Sequence, residues 1–219
     1  MSALGPGPHT RIRRIPEKAR YDEATIHAIF DEATFCHVTA VLDGVAMALP
    51  TMHIRRGNTL YVHANKSNAI LRAALNAGTT CITATLYDGV RLARSGFESS
   101  IAFRSVVGVG TPREVVDDTE LDEVLSGFVD AAAPGRSLEV RPMLDRERRL
   151  TLVVAIELLE ASAKVSAGPT DDDDEDKALP IWSGVVPARL VYGEPQPSTD
   201  GAMADGLPLP ASVRKLLER

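Results

Sequence analysis

Short runs of alternating apolar and polar residues, each closed by a tight turn, constrain this chain most. Residues 37–42 alternate as a strand and run into Asp43-Gly44; residues 45–54 form a second run before Arg56-Gly57-Asn58; residues 60–64 form a third. Alternation sends successive side chains to opposite faces, and a glycine in a two-residue turn supplies the positive φ that a hairpin needs. By the same logic residues 81–86 are a strand, Asp88-Gly89 a hairpin turn, residues 92–95 its return and residues 103–110 the strand after it. Pro50 cannot donate a ladder hydrogen bond, so it marks an edge or a bulge. Residues 150–159 are apolar at both parities, which suits a strand covered on both faces.

Helical spacing is confined to a few segments. Asp22 is placed to cap a helix carrying Ile26, Ile29, Phe30 and Ala33, and Ser67 one carrying Ile70, Leu71, Ala74 and Leu75 that stops at Gly78. Thr119 opens a third with Leu121, Val124, Leu125, Phe128 and Val129 on one face, and a short helix is expected near residues 211–217. Strands and helices do not alternate, which argues against a doubly wound parallel sheet. About six or seven hairpin-linked strands with two or three helices predict a mainly β chain, a small antiparallel barrel with peripheral helices. Three parts are expected: a flexible arm over residues 1–10, a domain over 11–165, and a Pro-rich extension over 166–219 that packs on the barrel or on a partner subunit.

Charge and cysteine usage exclude several classes. The net charge of −6 is partly local, because Asp171, Asp172, Asp173, Asp174, Glu175 and Asp176 form one block, of the kind that is usually a solvated loop. Arg11, Arg13, Arg14, Lys18 and Arg20 make the start basic, but without interleaved aromatics, so no nucleic-acid partner is expected. Cys36 and Cys81 suggest no disulfide framework, and no segment resembles a signal peptide or a membrane span, so a cytoplasmic location is expected.

Two places carry candidate chemistry. In the strand-to-helix junction from His63 to Asn68, Lys66, Ser67 and Asn68 surround a helix N-terminus whose free N–H groups suit an anion; the alternative is that Ser67 only caps the helix. Arg91, Arg94 and Arg104 lie on neighbouring strands and suit bidentate recognition of phosphate, or equally pairing with surface carboxylates. Ser95, Ser99, Ser100 and Ser105 add hydroxyl donors. Gly108-Val109-Gly110 is a poor dinucleotide fingerprint, and the five histidines show no zinc spacing, although any one of them could ligate haem iron.

The run from Asp88 through Leu92-Ala93-Arg94-Ser95 and Phe97, followed by Phe103-Arg104-Ser105-Val106, resembles the flavin-binding relatives of pyridoxamine 5′-phosphate oxidase, within them the branch of nitroimidazole-resistance-type flavoproteins. Arg14-Ile15-Pro16, Tyr21-Asp22, Pro50-Thr51, Leu60-Tyr61-Val62-His63, Pro134-Gly135-Arg136 and Trp182 follow in matching order. The resemblance implies an antiparallel split β-barrel homodimer with a flavin nucleotide at the subunit interface, and a flavin-dependent oxidoreductase acting on a small molecule. FMN is the favoured cofactor, with FAD, deazaflavin and haem as alternatives. A non-catalytic flavin or haem carrier and a haem-degrading protein are the alternatives to the enzyme. It implies a flavin phosphate near His63, Lys66, Ser67 and Asn68, aided by Arg104 and Ser105. The ring is implied along Thr83, Thr85, Leu92, Ala93, Arg94 and Ser95, with Phe97, Ser100 and Trp182 nearby. It assigns no general acid or base and no metal.

Overall fold

The computed structural model describes residues 4–199 and 206–218; the tip of the expected arm, residues 1–3, lies outside them. The chain divides into two compact units, one reaching to Val115 and resuming over Arg149–Arg189, the other formed by Val116–Arg148 with Leu190–Arg219.

The first unit holds β1 (Ala19–Arg20), α1 (Glu23–Glu32), β2 (Phe35–Leu42), β3 (Val45–Arg56), β4 (Thr59–Asn65), α2 (Ala69–Ala77), β5 (Thr80–Leu92), β6 (Ser100–Glu114), β7 (Thr151–Ser166) and β8 (Gly184–Pro187). All eight strands join one antiparallel sheet in the order β1-β7-β4-β3-β2-β5-β6, with β8 on the outer edge of β5. The long strand β7 pairs with β4 from Thr151 to Glu157 and with β6 from Val154 to Ser166, so the sheet closes on itself as a ring.

This corrects the expected mainly β class and the expected barrel. The class is mixed α/β, because α1 is built into the core: Ile26, Ile29 and Phe30 are buried with Val38, Leu60, Val62, Ile82, Val106, Leu152 and Ile156. The ring is completed within one chain by the β6–β7 ladder.

Asp88-Gly89 is not a hairpin turn. β5 runs through it to Leu92, and the register against β6 shifts there by one residue, as at a β-bulge. The reason is a partner on each side: Gly89 pairs with Ala102 on β6 and with Pro187 on β8. Only glycine fits, since φ is +141° and a Cβ would stand 2.3 Å from the Val186 carbonyl oxygen. The chain reverses instead through residues 93–99.

The helix caps follow elementary rules. Thr25 N–H donates to Asp22 Oδ1 at 2.8 Å, and Leu71 N–H donates to Asn68 Oδ1 at 3.0 Å, so Asn68 and not Ser67 caps α2. Cys36 is fully buried and its thiol is pushed up to about 12, which makes it a packing group rather than a nucleophile.

The second unit is helical, with α3 (Asp118–Ala132) capped by Asp117, and α5 (Ala211–Leu217); α4 (Asp145–Leu150) runs to its boundary. Val124, Leu125 and Phe128 are its buried apolar residues. Arg148 bridges Asp118 and Asp122, Arg141 pairs with Glu147 at 2.6 Å, and Ser212 N–H donates to Glu139. Among the described residues no helix is long and apolar enough to cross a membrane.

Candidate functional site

The end of β5 brings two arginines, one of them buried, against the carboxylates of the acidic block. Arg91 is buried at 4 % exposure; its guanidinium donates to Ser166 Oγ at 3.2 Å, to the Pro169 carbonyl and to Asp171 Oδ2 at 3.1 Å. Three residues on, Arg94 N–H donates to Asp172 Oδ1 at 2.6 Å and its guanidinium to Oδ2 at 2.7 Å. The same carboxylate accepts from Ser183 Oγ at 2.7 Å and Thr170 Oγ1 at 3.2 Å, leaving its side chain 4 % exposed. The Arg94 N–H first, then the Ser183 hydroxyl, holds Asp172 down at about 2. The acidic block is therefore not uniformly solvated. Asp174 points to water, whereas Asp172 turns inward and straps residues 169–183 over the arginines.

Among the described residues, two buried guanidinium donors, Arg91 Nε and Arg94 Nε, have no hydrogen-bond partner. A buried unpaired guanidinium N–H costs free energy and suits an acceptor such as a phosphate oxygen. Beside these donors the chain turns on a short hydroxyl network. Ala93 N–H donates to Ser99 Oγ at 3.0 Å, Ser99 Oγ to the Ser95 carbonyl at 2.8 Å, and Glu98 N–H to Ser95 Oγ at 3.1 Å. Phe97 is 91 % exposed on this loop. Leu92 pairs with Gly184 on β8, which brings Trp182 (63 % exposed) alongside within the same chain. The Trp182 ring lies 3.1 Å from where a Gly184 Cβ would stand, so that glycine lets the indole lie against the strand.

Of the residues expected to bind cofactor, Leu92, Ala93, Arg94, Ser95, Phe97, Ser100 and Trp182 are gathered here. The others lie elsewhere. Thr85 pairs with Ser105, and Thr83 lies two residues along β5 from Thr85 on the same outer face. Arg104 is fully engaged, donating to Glu32 at 2.5 and 2.7 Å and to Asp88 at 2.9 and 2.8 Å; Glu32 and then Asp88 raise its value.

The helix junction is closed on itself. Asn65 Oδ1 accepts from Ser67 N–H and Oγ, Asn68 caps α2, Lys66 Nζ lies 3.9 Å from Glu114, and Arg72 donates to Glu114 at 2.7 Å. His63 is half-buried on β4, and burial lowers its value. Lys66 and Arg104 are not brought together. Asn65 pairs with Thr151 at the start of β7, while Arg104 pairs with Val165 near its end. The sequence reading missed Thr170, Asp172 and Ser183 as site residues. The available signal was a strand arginine, Arg91, with an acidic block later in the chain to neutralise it.

Residues 22–165 match the family model described as pyridoxamine 5′-phosphate oxidase. The chain belongs to the pyridoxamine 5′-phosphate oxidase-like family. Among solved structures, the flavocytochrome Anf3 from Azotobacter vinelandii is 33 % identical, with 97 % of this chain and 98 % of that one covered and a TM-score of 0.90. An FAD and haem binding protein from Mycobacterium smegmatis is 35 % identical, with 91 % and 97 % covered and a TM-score of 0.85. A protein from Bacteroides thetaiotaomicron described by likeness as a 5-nitroimidazole antibiotic resistance protein, 20 % identical over 67 % of this chain and 86 % of its own, has a TM-score of 0.57 and shares the fold. No curated protein matches the chain. This chain is thus similar over more than nine-tenths of its length to one protein described as a flavocytochrome and to another described as an FAD and haem binding protein.

Proposed function

We propose that this protein binds a flavin, with FAD favoured over FMN, together with haem, and works as a flavin-dependent oxidoreductase. The observation that carries the proposal is the near full-length similarity to a flavocytochrome and to an FAD and haem binding protein. The β5 end fits a flavin nucleotide in kind. Arg91 and Arg94 offer cationic forks with spare buried donors for the anionic part, and Leu92, Phe97 and Trp182 offer exposed apolar surface to a flat ring. The flavin would supply the electron and hydride chemistry, while the chain binds, orients and tunes. Asp172 holds Arg94 through a carboxylate, the same chemistry an incoming phosphate would use, so the strap and the nucleotide compete for one guanidinium.

The test is the absorption spectrum of the purified protein, repeated after FAD, FMN and haemin are added separately and the excess removed. Retained flavin bands with FAD, and a retained Soret band with haemin, are the expected result. Specific binding to the folded state should also raise stability by about 2.7 kcal/mol at a hundredfold excess of ligand over its Kd. A protein that retains neither chromophore and gains no stability would refute the proposal. Oxidation of a reduced nicotinamide or deazaflavin donor then separates an enzyme from a carrier: a carrier holds its cofactor without turnover.

A further inference from the structure

One histidine stands apart from the rest. His9 Nδ1 is 2.5 Å from Glu160, His27 Nε2 is 2.7 Å from Asn58, and buried His53 donates from Nε2 to the Phe30 carbonyl at 2.8 Å. His63 is half-buried on β4 and has a partner of its own. His37 is exposed in the middle of β2, between Pro50 on β3 and Thr83 on β5, and makes no hydrogen bond or ion pair among the described residues.

The face around it mixes apolar and threonine side chains. Alternation along β2 sends Cys36 and Val38 into the core and leaves Phe35 (61 % exposed), His37, Thr39 and Val41 (66 % exposed) on the outer side. Thr83 and Thr85 of β5 continue that face, and half-exposed Val107, opposite Thr83 on β6, extends it. A flat sheet face that carries Phe35, Val41 and Val107, threonine side chains and one unengaged imidazole offers a haem macrocycle apolar contact and offers its metal a neutral nitrogen lone pair.

We propose that His37, on the outer face shared by β2 and β5, would ligate the iron of a bound haem. This assignment rests on the haem part of the proposed function. Ligation needs only the imidazole lone pair and no change in oxidation state. The face commits to haem rather than to a flavin, because a flavin ring has no use for a ligating nitrogen and the β5 end already supplies cationic donors for its phosphate.

The experiment compares full-length protein with His37→Ala and, as a control, His27→Ala, each titrated with haemin and read by ferric and ferrous absorption spectra. His37 is exposed and unbonded, so its removal leaves the fold intact, and circular dichroism checks this. The expected result is at least a tenfold weaker haem affinity and a displaced Soret band in His37→Ala, restored by added imidazole, with His27→Ala unchanged. A His37→Ala protein with unaltered spectrum and affinity overturns the assignment while leaving haem binding standing. Loss of haem that imidazole does not restore also overturns it. A wild-type protein that binds FAD but no haem removes the haem reading itself, and the assignment with it.

Discussion

Phe30→Ala is expected to destabilise the protein by about 3–5 kcal/mol. Phe30 is 1 % exposed within α1, where Ile26 and Ile29 share its buried face. Its ring meets His53 edge-on with centroids 5.6 Å apart, and its carbonyl accepts the His53 Nε2 hydrogen bond. Alanine removes the ring and leaves a cavity between helix and sheet that the closed ring of strands cannot readily collapse into. The measurement is a urea unfolding midpoint at unchanged slope. A loss below about 1 kcal/mol would mean that α1 is peripheral after all, and the mixed character of the fold would have to be reconsidered.

Gly110→Val is expected to cost about 3 kcal/mol or more, enough to prevent accumulation of folded protein in a marginal background. Gly110 sits where the β6–β7 register shifts, at the ladder that closes the ring. A Cβ there would stand 2.4 Å from the Glu157 carbonyl oxygen and 2.9 Å from Ile156 Cγ2, and a strand backbone cannot swing aside as a surface side chain can. Gly96→Ala is the matched control: nothing lies within 4 Å of its Cβ position, so its effect should stay within about 0.5 kcal/mol. Equal behaviour of the two variants would show that the β6–β7 closure tolerates more space than this packing allows.

The legible parts of this fold were those fixed locally. The Asp22 cap, the apolar spacing of α1 and α3, and the turns at Asp43-Gly44 and Gly57 are decided within a few residues, and they stand where the sequence puts them. What was not legible depends on pairings distant in sequence. Asp88-Gly89 reads as a hairpin turn by composition, yet β8, almost a hundred residues later, holds that segment in the ladder as a bulge. Ring closure needed the length of β7 and its two partners, which alternation alone does not reveal. The acidic block shows the same limit for the site. Six consecutive acidic residues favour water as a group, but one carboxylate, Asp172, meets an N–H, two hydroxyls and a guanidinium and turns inward. Within one chain Lys66 and Ser67 stand apart from Arg104, because strand register, not sequence order, decides which cations meet.

The central claim is that the arginines beneath the acidic strap hold the anionic part of a flavin, and titration of FAD into the cofactor-free protein against Arg94→Met tests it most directly. Methionine keeps much of the side chain's apolar bulk, removes the fork and leaves the Asp172 carboxylate to repel an anion. The account predicts measurable FAD binding by the wild-type protein and at least a tenfold weaker Kd in the variant, about 1.4 kcal/mol, with the folded signal retained. Equal FAD affinity in the two proteins would contradict it and would move the anion site away from the end of β5.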